Sequence, residues 1–442
     1  MPTPKIVMIG AGSGFLITVA KEIAVAKSLQ NCRFCVMDID PERLALAEAK
    51  SRELLAACPG VTVEATGDLG TALTGADYVV TSCETNRWAF WLSDLKIPEK
   101  YGVFQAMAEN GGPGGIIHAL RNIKLLGGIA RAMERLCPRA WLMNFTNPMS
   151  FLCTYLNKYT AIRTLGFCHQ VHGSFGVIAE QLGFEPGDLQ VITGGVNHFN
   201  WLLDVRRRGS SESYLAEFLR RVQESEWWLS KHDNVPRQEF TLEVLKTFGA
   251  YPVGYDDHII EYLPFFYERE EWAAHGYESR EAALRETLAQ DRTTLQVNAL
   301  QGHNSALYPF PKDNDHPYYA EKPTAVIQAL ETNQPLYLDA LNILNRNAID
   351  NLPADAVVDI PAVIVGGEAR GIHVGALPLG AMELCRRQIT QHELIARAAA
   401  EGDATLVEQA LCLDPYVRSI TQARAIWKDY REEYGEWLPE MG

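Results

Sequence analysis

Short apolar runs alternate with longer stretches of helical spacing over the first part of the chain. Residues 5–9 predict a strand, residues 15–28 a helix and residues 33–37 a second strand. The same alternation predicts further helices at 41–57, 115–135 and 149–159, and further strands at 61–65, 78–82, 141–144 and 163–167. Such an exchange of strands and helices builds a mostly parallel sheet with right-handed crossovers. We therefore predict an α/β, Rossmann-like doubly wound domain over residues 1–170.

The pattern changes in the remainder of the chain, for which we predict a second, α+β domain over residues 171–442. A β-rich section at residues 189–207 is followed by long helical patterns at 212–225, 323–340 and 382–400. Two packed domains are expected because a chain of 442 residues exceeds what one hydrophobic core usually supports. We expect the second domain to supply substrate, metal and oligomer contacts.

Composition and charge narrow the range of partners. Apolar residues make up 47% of the chain, which is typical of a globular enzyme. A formal net charge of -15, with no block of Lys or Arg, argues against nucleic acid and anionic membranes as partners. Nine cysteines, without a secretory signal or a long apolar run, indicate free thiols in a cytoplasmic protein.

A glycine-rich turn joins the first predicted strand to the first helix and reads Gly10, Ala11, Gly12, Ser13, Gly14, Phe15. In that context the glycines let the backbone approach a pyrophosphate, and the helix amino terminus offers it unpaired N–H groups. Asp38 ends the second strand, where a carboxylate accepts the ribose hydroxyls of NAD and repels the 2′-phosphate of NADP. We predict an NAD site; the alternative is a structural turn without cofactor.

Two side chains with metal-ligand chemistry, Cys168 and His198, each lie where a predicted strand ends. A thiolate and an imidazole brought into one cleft hold a divalent metal and leave other coordination positions open. On spacing alone, a buried thiol and a core histidine explain the two residues better. Asn144 and Asn147 follow another parallel strand, where either helix capping or ligand contact suits an amide.

Titratable residues are also concentrated in a short loop that contains Tyr255, Asp256, Asp257 and His258. Glu109 precedes a second glycine-rich segment at residues 111–115. Acid and base catalysis needs groups of this kind, although a solvated loop accounts for the same residues.

Together these motifs resemble glycoside hydrolase family four, the NAD- and manganese-dependent glycosidases with a lactate/malate-dehydrogenase-like scaffold. The resemblance extends over essentially the whole chain. It rests on the glycine turn, residues 144–148, Cys168-His169, Asn197-His198, Phe248-Gly249 and residues 261–264, 351–353 and 413–415.

The resemblance implies a redox-assisted elimination, an exception to hydrolysis by two carboxylates. NAD oxidises the sugar at C3, a base removes the acidified C2 proton, the aglycone leaves, water adds, and the ketone is reduced again. The metal polarises the C3 oxygen and stabilises the enediolate. The family also implies a homodimer or a homotetramer that acts on a small-molecule glycoside.

Site roles follow from the resemblance position by position. Cys168 and His198 match the ligands of Mn²⁺ or of another divalent metal. Tyr255 matches the base, with Asp256 and Asp257 as alternatives. The acid is His169 or Glu109, and the segment around Glu109 departs from the pattern of related α-galactosidases.

The resemblance also implies which residues contact the cofactor. They are Gly10, Gly12, Ser13, Gly14, Phe15, Asp38, Asn86 and Asn144.

The sugar is only partly specified. His169 directly after the ligand cysteine resembles members that act on unphosphorylated α-glycosides. Candidate sugar contacts are Arg87, Trp88, Trp91, Asn147, Asn197, Trp201 and His303. The substrate is therefore expected to be an α-galactoside or an anionic α-glycoside, such as a hexuronide or a sulfoquinovoside. A cation such as Arg87 suits the anionic substrate unless it pairs with a neighbouring carboxylate.

Two other functions remain open from the sequence. An NAD-dependent 2-hydroxy-acid dehydrogenase would use the same scaffold, would reduce NAD stoichiometrically and would give Cys168 no ligand role. A non-catalytic, NAD-binding sugar sensor would bind ligand without turnover.

Overall fold

The computed structural model describes residues 3–225, 238–254, 256–264, 271, 280–290 and 322–442. Six parallel strands form the amino-terminal part of one sheet, in the spatial order β3-β2-β1-β4-β5-β6. Their bounds are β1 Lys5–Ile9, β2 Arg33–Met37, β3 Thr62–Thr66, β4 Tyr78–Thr81, β5 Trp141–Asn144 and β6 Arg163–Gly166. The doubly wound sheet predicted from the apolar runs is confirmed.

Helices connect these strands because their apolar residues recur at helical spacing and pack against the sheet. They are α1 Phe15–Val25, α2 Pro41–Leu54, α3 Leu69–Leu73, α4 Arg87–Glu99, α5 Gly112–Leu136, α6 Met149–Tyr159 and α7 Gln170–Leu182. Asp40 fixes the start of α2, since its side chain accepts hydrogen bonds from two backbone N–H groups of the first turn, and Pro41 occupies the first helical position.

The carboxyl-terminal part continues the same sheet with antiparallel strands. They are β7 Leu189–Val196, β8 Phe199–Arg207, β9 Pro252–Val253, β10 Leu336–Leu344, β11 Val357–Val365 and β12 Glu368–Gly371. Strand β6 meets β10 where Gly166 lies opposite Asn342, and β11 meets β7 where Asp359 lies opposite Gly195. The sheet therefore runs without a break across the predicted boundary at residue 170, and the division into domains stays a prediction.

The described helices of this part pack on the sheet and on each other. They are α8 Leu215–Glu224, α9 Glu239–Phe248, α10 Asp256–Tyr262, α11 Glu281–Ala289, α12 Pro323–Thr332, α13 Leu379–Glu401, α14 Ala404–Leu413 and α15 Ile420–Tyr434. No described helix is long and apolar enough to cross a bilayer.

One prediction for this part was wrong. Residues 323–340 do not form a single helix, because α12 ends at Thr332 and the chain then enters strand β10. Asn333 adopts a left-handed backbone conformation, with φ of 55°, which stops the helix. The apolar residues that follow Asn333 belong to strand β10, which pairs with β11.

A buried ion pair joins α4 to α5. Arg121 donates two hydrogen bonds, of 2.8 and 2.6 Å, to the carboxylate of Asp94, and both side chains are almost fully buried. Tyr434 of α15 donates its hydroxyl to the same carboxylate. The Arg121 guanidinium also lies over the rings of Phe90 and Tyr434. The buried charges of Arg121 and Asp94 therefore compensate each other inside the protein.

We predict that Arg121→Met lowers the free energy of unfolding by about 3 to 5 kcal/mol, because it leaves the Asp94 carboxylate buried without its partner. The matched control is Arg131→Met in the same helix, which breaks an exposed pair with Glu134 and is expected to cost less than about 1 kcal/mol. Denaturant unfolding of the three proteins measures the difference. Equal losses in the two variants would contradict the assignment.

Candidate active site

The glycine turn after β1 folds as a nucleotide-binding turn. Gly10 has φ of 77°, and a Cβ there would lie 2.2 Å from the carbonyl oxygen of Ser82, so only glycine fits. A Cβ on Gly12 would lie 2.8 Å from Cδ of Arg43. The backbone N–H of Gly12 donates to Oδ2 of Asp38 over 2.9 Å, which ties the turn to the end of β2.

The polar groups of this turn fit a dinucleotide. Asp38 is mostly buried, and its Oδ1 accepts a hydrogen bond from the N–H of Asp40 over 3.0 Å. The buried hydroxyl of Ser13 has no hydrogen-bond partner among the described residues. Gly14 precedes α1, and the ring of Phe15 packs on Phe145 at 4.9 Å between centroids. The turn thus offers an orphaned hydroxyl and a helix amino terminus.

Cys168 and His198 meet in space although 30 residues separate them in the chain. Cys168 follows β6, and His198 lies in the turn from β7 to β8 with φ of 63°. The Sγ of Cys168 is 3.2 Å from Nε2 of His198. Two ligands of one ion, with bonds of about 2.1 to 2.3 Å, lie roughly 3 to 3.6 Å apart, so the pair fits a shared metal.

A second set of donors surrounds His198. Ligand atoms of Glu109, His198 and His258 all lie within 4.8 Å of one another, and the three side chains are buried. The two imidazole rings have centroids 3.9 Å apart. Sequence reasoning did not identify His258 as a donor. The available signal was its spacing from Glu261, which places both side chains on one face of α10.

The carboxylate of Glu261 organises this region. Its Oε2 accepts hydrogen bonds from the N–H groups of Glu109, Asn110 and Gly111, over 2.7, 2.7 and 3.0 Å. Its Oε1 lies 3.1 Å from Nδ1 of His258. One buried side chain therefore holds both the segment that carries Glu109 and the ring of His258.

Burial and neighbouring charges set the protonation of the three donors. Burial alone would raise the pKa of Glu109, but the charges of Arg87 and of the nearby histidines lower it to about 2. Burial and the charge of His258 hold the pKa of His198 well below its usual value. Burial also opposes the charged form of His258, yet Asp257, Glu261 and Glu109 raise its pKa. Glu109 is therefore a carboxylate, which suits a metal ligand better than a proton donor.

Arg87 belongs to an ion-pair network and not to an open cationic pocket. Its guanidinium donates to Glu84 and, over 2.8 Å, to Oε1 of Glu109. It lies over the rings of Trp88 and Trp91, at 5.3 and 4.9 Å from their centroids. The pairing with carboxylates that the sequence left open is the arrangement observed.

The predicted site asparagines differ in whether their side-chain atoms have hydrogen-bond partners. Asn147, before a cis bond to Pro148, and Asn197 each have a buried Oδ1 with no partner among the described residues. Asn144 instead accepts from Thr146 N–H and Thr81 Oγ1 and donates to the Thr146 carbonyl oxygen. These contacts match a structural cap.

Asn86 and His169 both precede helices. Asn86 is exposed, in a left-handed conformation with φ of 46°, and its carbonyl oxygen accepts the first helical hydrogen bond of α4, from Phe90. His169 is half-buried at the start of α7 and next to Cys168. Both positions stay predictions for cofactor contact and for acid catalysis.

Two tryptophans predicted to contact the sugar are buried. Trp201 is fully buried, with its ring packed against Phe199 and Phe248. Trp91 is also buried, and its indole N–H donates to the carbonyl oxygen of Met107. Both rings pack in the core, and their contact with a sugar stays a prediction. Trp88 stays half-exposed beside Arg87.

The candidate bases have different environments. Asp256 is buried and accepts hydrogen bonds from the N–H groups of Phe240 and Thr241 and from the Thr241 hydroxyl, at the start of α9. Asp257 forms an ion pair with Arg280. Tyr255 and His303 lie outside the described residues.

Comparison with known proteins matches one enzyme family over most of the chain. The model of the family 4 glycosyl hydrolases matches residues 5–184, and the model of their C-terminal domain matches residues 193–417. An α-galactosidase of Bacillus subtilis is 31% identical over 99% of this chain and 99% of its own. An α-galacturonidase of the same organism is 29% identical over 94% of this chain and 93% of its own.

A solved structure shares the fold at lower identity. The 6-phospho-α-glucosidase from gut microorganisms, in complex with NAD and Mn²⁺, is 19% identical and covers 100% of both chains with a TM-score of 0.79. The resemblance drawn from the sequence motifs is thereby confirmed: the protein belongs to family 4 of the glycosyl hydrolases.

Proposed function

We propose that the protein is an NAD⁺- and Mn²⁺-dependent exo-α-glycosidase that cleaves an unphosphorylated α-galactoside. The observation that carries the proposal is the contact between half-buried Cys168 and buried His198, with their donor atoms 3.2 Å apart. Cys168 follows β6, and the glycine turn follows β1 of the same parallel sheet. Ligands of open α/β sheets bind at this carboxyl edge, so both groups serve one site.

The chain offers donors for both cofactors. The turn from Gly10 to Phe15, with Asp38, would hold NAD, and Cys168 and His198 would hold the metal. NAD, when bound, supplies a reversible hydride acceptor, and the metal supplies a Lewis acid. A protein of the same fold carries both.

The protein's own side chains supply the acid and base. Asp256 and Asp257 are each committed to a structural contact, which favours Tyr255 as the base that removes the C2 proton. Glu109 is ionised beside Arg87, which favours His169 as the acid that protonates the leaving oxygen. Asn147 and Asn197 offer buried amide oxygens to sugar hydroxyls.

The charge balance of the site supports a neutral sugar. Arg87 is paired with both Glu84 and Glu109, so its positive charge is already compensated. A carboxylate or sulfonate at C6 would therefore not find an uncompensated guanidinium at Arg87. The 31% identical relative is named an α-galactosidase, while the 29% identical α-galacturonidase makes the uronide the natural comparison.

We predict that, with NAD⁺ and Mn²⁺ present, kcat/KM for a nitrophenyl α-galactoside exceeds that for the matching α-galacturonide by about 100-fold, because Arg87 is already paired and a carboxylate desolvated without a partner costs several kcal/mol. The panel includes the α-glucoside, α-glucuronide and α-sulfoquinovoside. Preference for any anionic member would contradict the neutral-sugar assignment.

We predict that the product formed in heavy water carries deuterium at C2 and that no net NADH accumulates, because the C2 proton leaves and NAD⁺ is regenerated. Mass spectrometry of the sugar and absorbance of NADH measure the two results. Cys168→Ser is expected to abolish turnover, whereas Cys412→Ser, at an exposed thiol, retains it. Retention of the original C2 hydrogen, or stoichiometric reduction of NAD⁺ by a 2-hydroxy acid, would refute the proposal.

A further inference from the structure

We propose that His258 is a third protein ligand of the metal and that Glu261 is the positioning residue that aims it. The inference rests on the proposed function, since it concerns the metal at Cys168 and His198. It starts from a juxtaposition of side chains that the motifs of the sequence did not indicate.

The geometry of His258 is that of an oriented ligand. Its Nδ1 lies 3.1 Å from Oε1 of Glu261, which leaves Nε2 as the nitrogen on the side of the ring away from that carboxylate. Ligand atoms of His258, His198 and Glu109 lie within 4.8 Å of one another. Metal-bound histidines commonly pair their second nitrogen with a carboxylate, which fixes the tautomer and the ring orientation.

Glu261 is itself held rigidly. Three backbone N–H groups, from Glu109 to Gly111, donate to its Oε2, and the side chain is almost fully buried. Because one carboxylate binds both the Glu109 segment and the His258 ring, it sets the spacing of two donors around His198.

The donor chemistry suits the ion. Glu109 places a buried carboxyl group beside His198 and His258, and buried charges are stable where an opposite charge or a metal lies close. Mn²⁺ favours octahedral sites with six ligands, oxygen atoms prominent among them. A third protein ligand therefore still leaves coordination positions open for chemistry.

The first test is made on the unmodified protein. Pulsed EPR of the Mn²⁺-loaded protein resolves couplings to histidine nitrogens, and the proposal expects two coordinated imidazoles, from His198 and His258. A single coordinated imidazole in the wild-type protein would overturn it, whatever the variants do.

The second test measures Mn²⁺ affinity by titration, with bound metal counted after dialysis. We expect His258→Gln to weaken Mn²⁺ binding by more than about 10-fold and to remove one imidazole coupling, and Glu261→Gln to weaken it by about 10-fold. His373→Gln is the control, because His373 is exposed and pairs with Asp350; it should leave affinity unchanged. Thermal unfolding of each variant confirms that it is folded.

The outcomes separate the two proposals. If Cys168→Ser reduces Mn²⁺ affinity and folded His258→Gln does not, the role of His258 is wrong and the metal site stands. If neither variant reduces it, the metal assignment fails, and with it the proposed function.

Discussion

The site depends on one buried carboxylate that makes several contacts at once. Glu261 accepts three backbone hydrogen bonds from the segment at residues 109–111 and lies against the ring of His258. Hydrogen bonds to a charged acceptor are stronger than neutral ones, and each lost partner would leave a buried group unsatisfied. This single side chain therefore places Glu109 and His258 beside His198, and through Glu109 it also fixes Arg87.

The sheet supplies the second constraint. Asn342 and Asp359 pair across β10 and β11, and they lie opposite Gly166 and Gly195 in the flanking strands. Cys168 lies two residues after Gly166 and His198 three residues after Gly195. The register at these points therefore brings the two proposed ligands to one edge of the sheet. Asp359 also accepts from the amide of Asn197 over 3.4 Å, and burial raises the pKa of its carboxyl to about 6.

Local sequence patterns predicted the nucleotide turn well, because the signal is confined to neighbouring residues. Gly10, Gly12 and Asp38 lie where the strand, turn and helix periodicities place them, and the hydrogen bond from Gly12 to Asp38 follows from that geometry. The strands after β6 were harder to predict, because their partners are distant in the chain. The helix predicted for residues 323–340 includes the first residues of strand β10, Leu336–Leu344, because their apolar spacing does not reveal which sheet they join.

The residues of the proposed metal site were only partly predictable from the sequence. Cys168 and His198 came from the family resemblance, and their contact is a long-range consequence of the sheet. Trp201 is predicted to contact the sugar because aromatic rings often line sugar sites. Successive residues of β8 face opposite sides of the sheet, and the side of Trp201 is the core. Arg87 illustrates the same limit: its charge is evident in the sequence, whereas its compensation by Glu84 and Glu109 requires the fold.

Anomalous diffraction from crystals of the protein grown with NAD⁺ and Mn²⁺ would locate the metal. We expect a manganese peak within bonding distance of both Cys168 Sγ and His198 Nε2. A peak elsewhere in the molecule, or NAD⁺ bound at the glycine turn with no peak at these two donors, would contradict it.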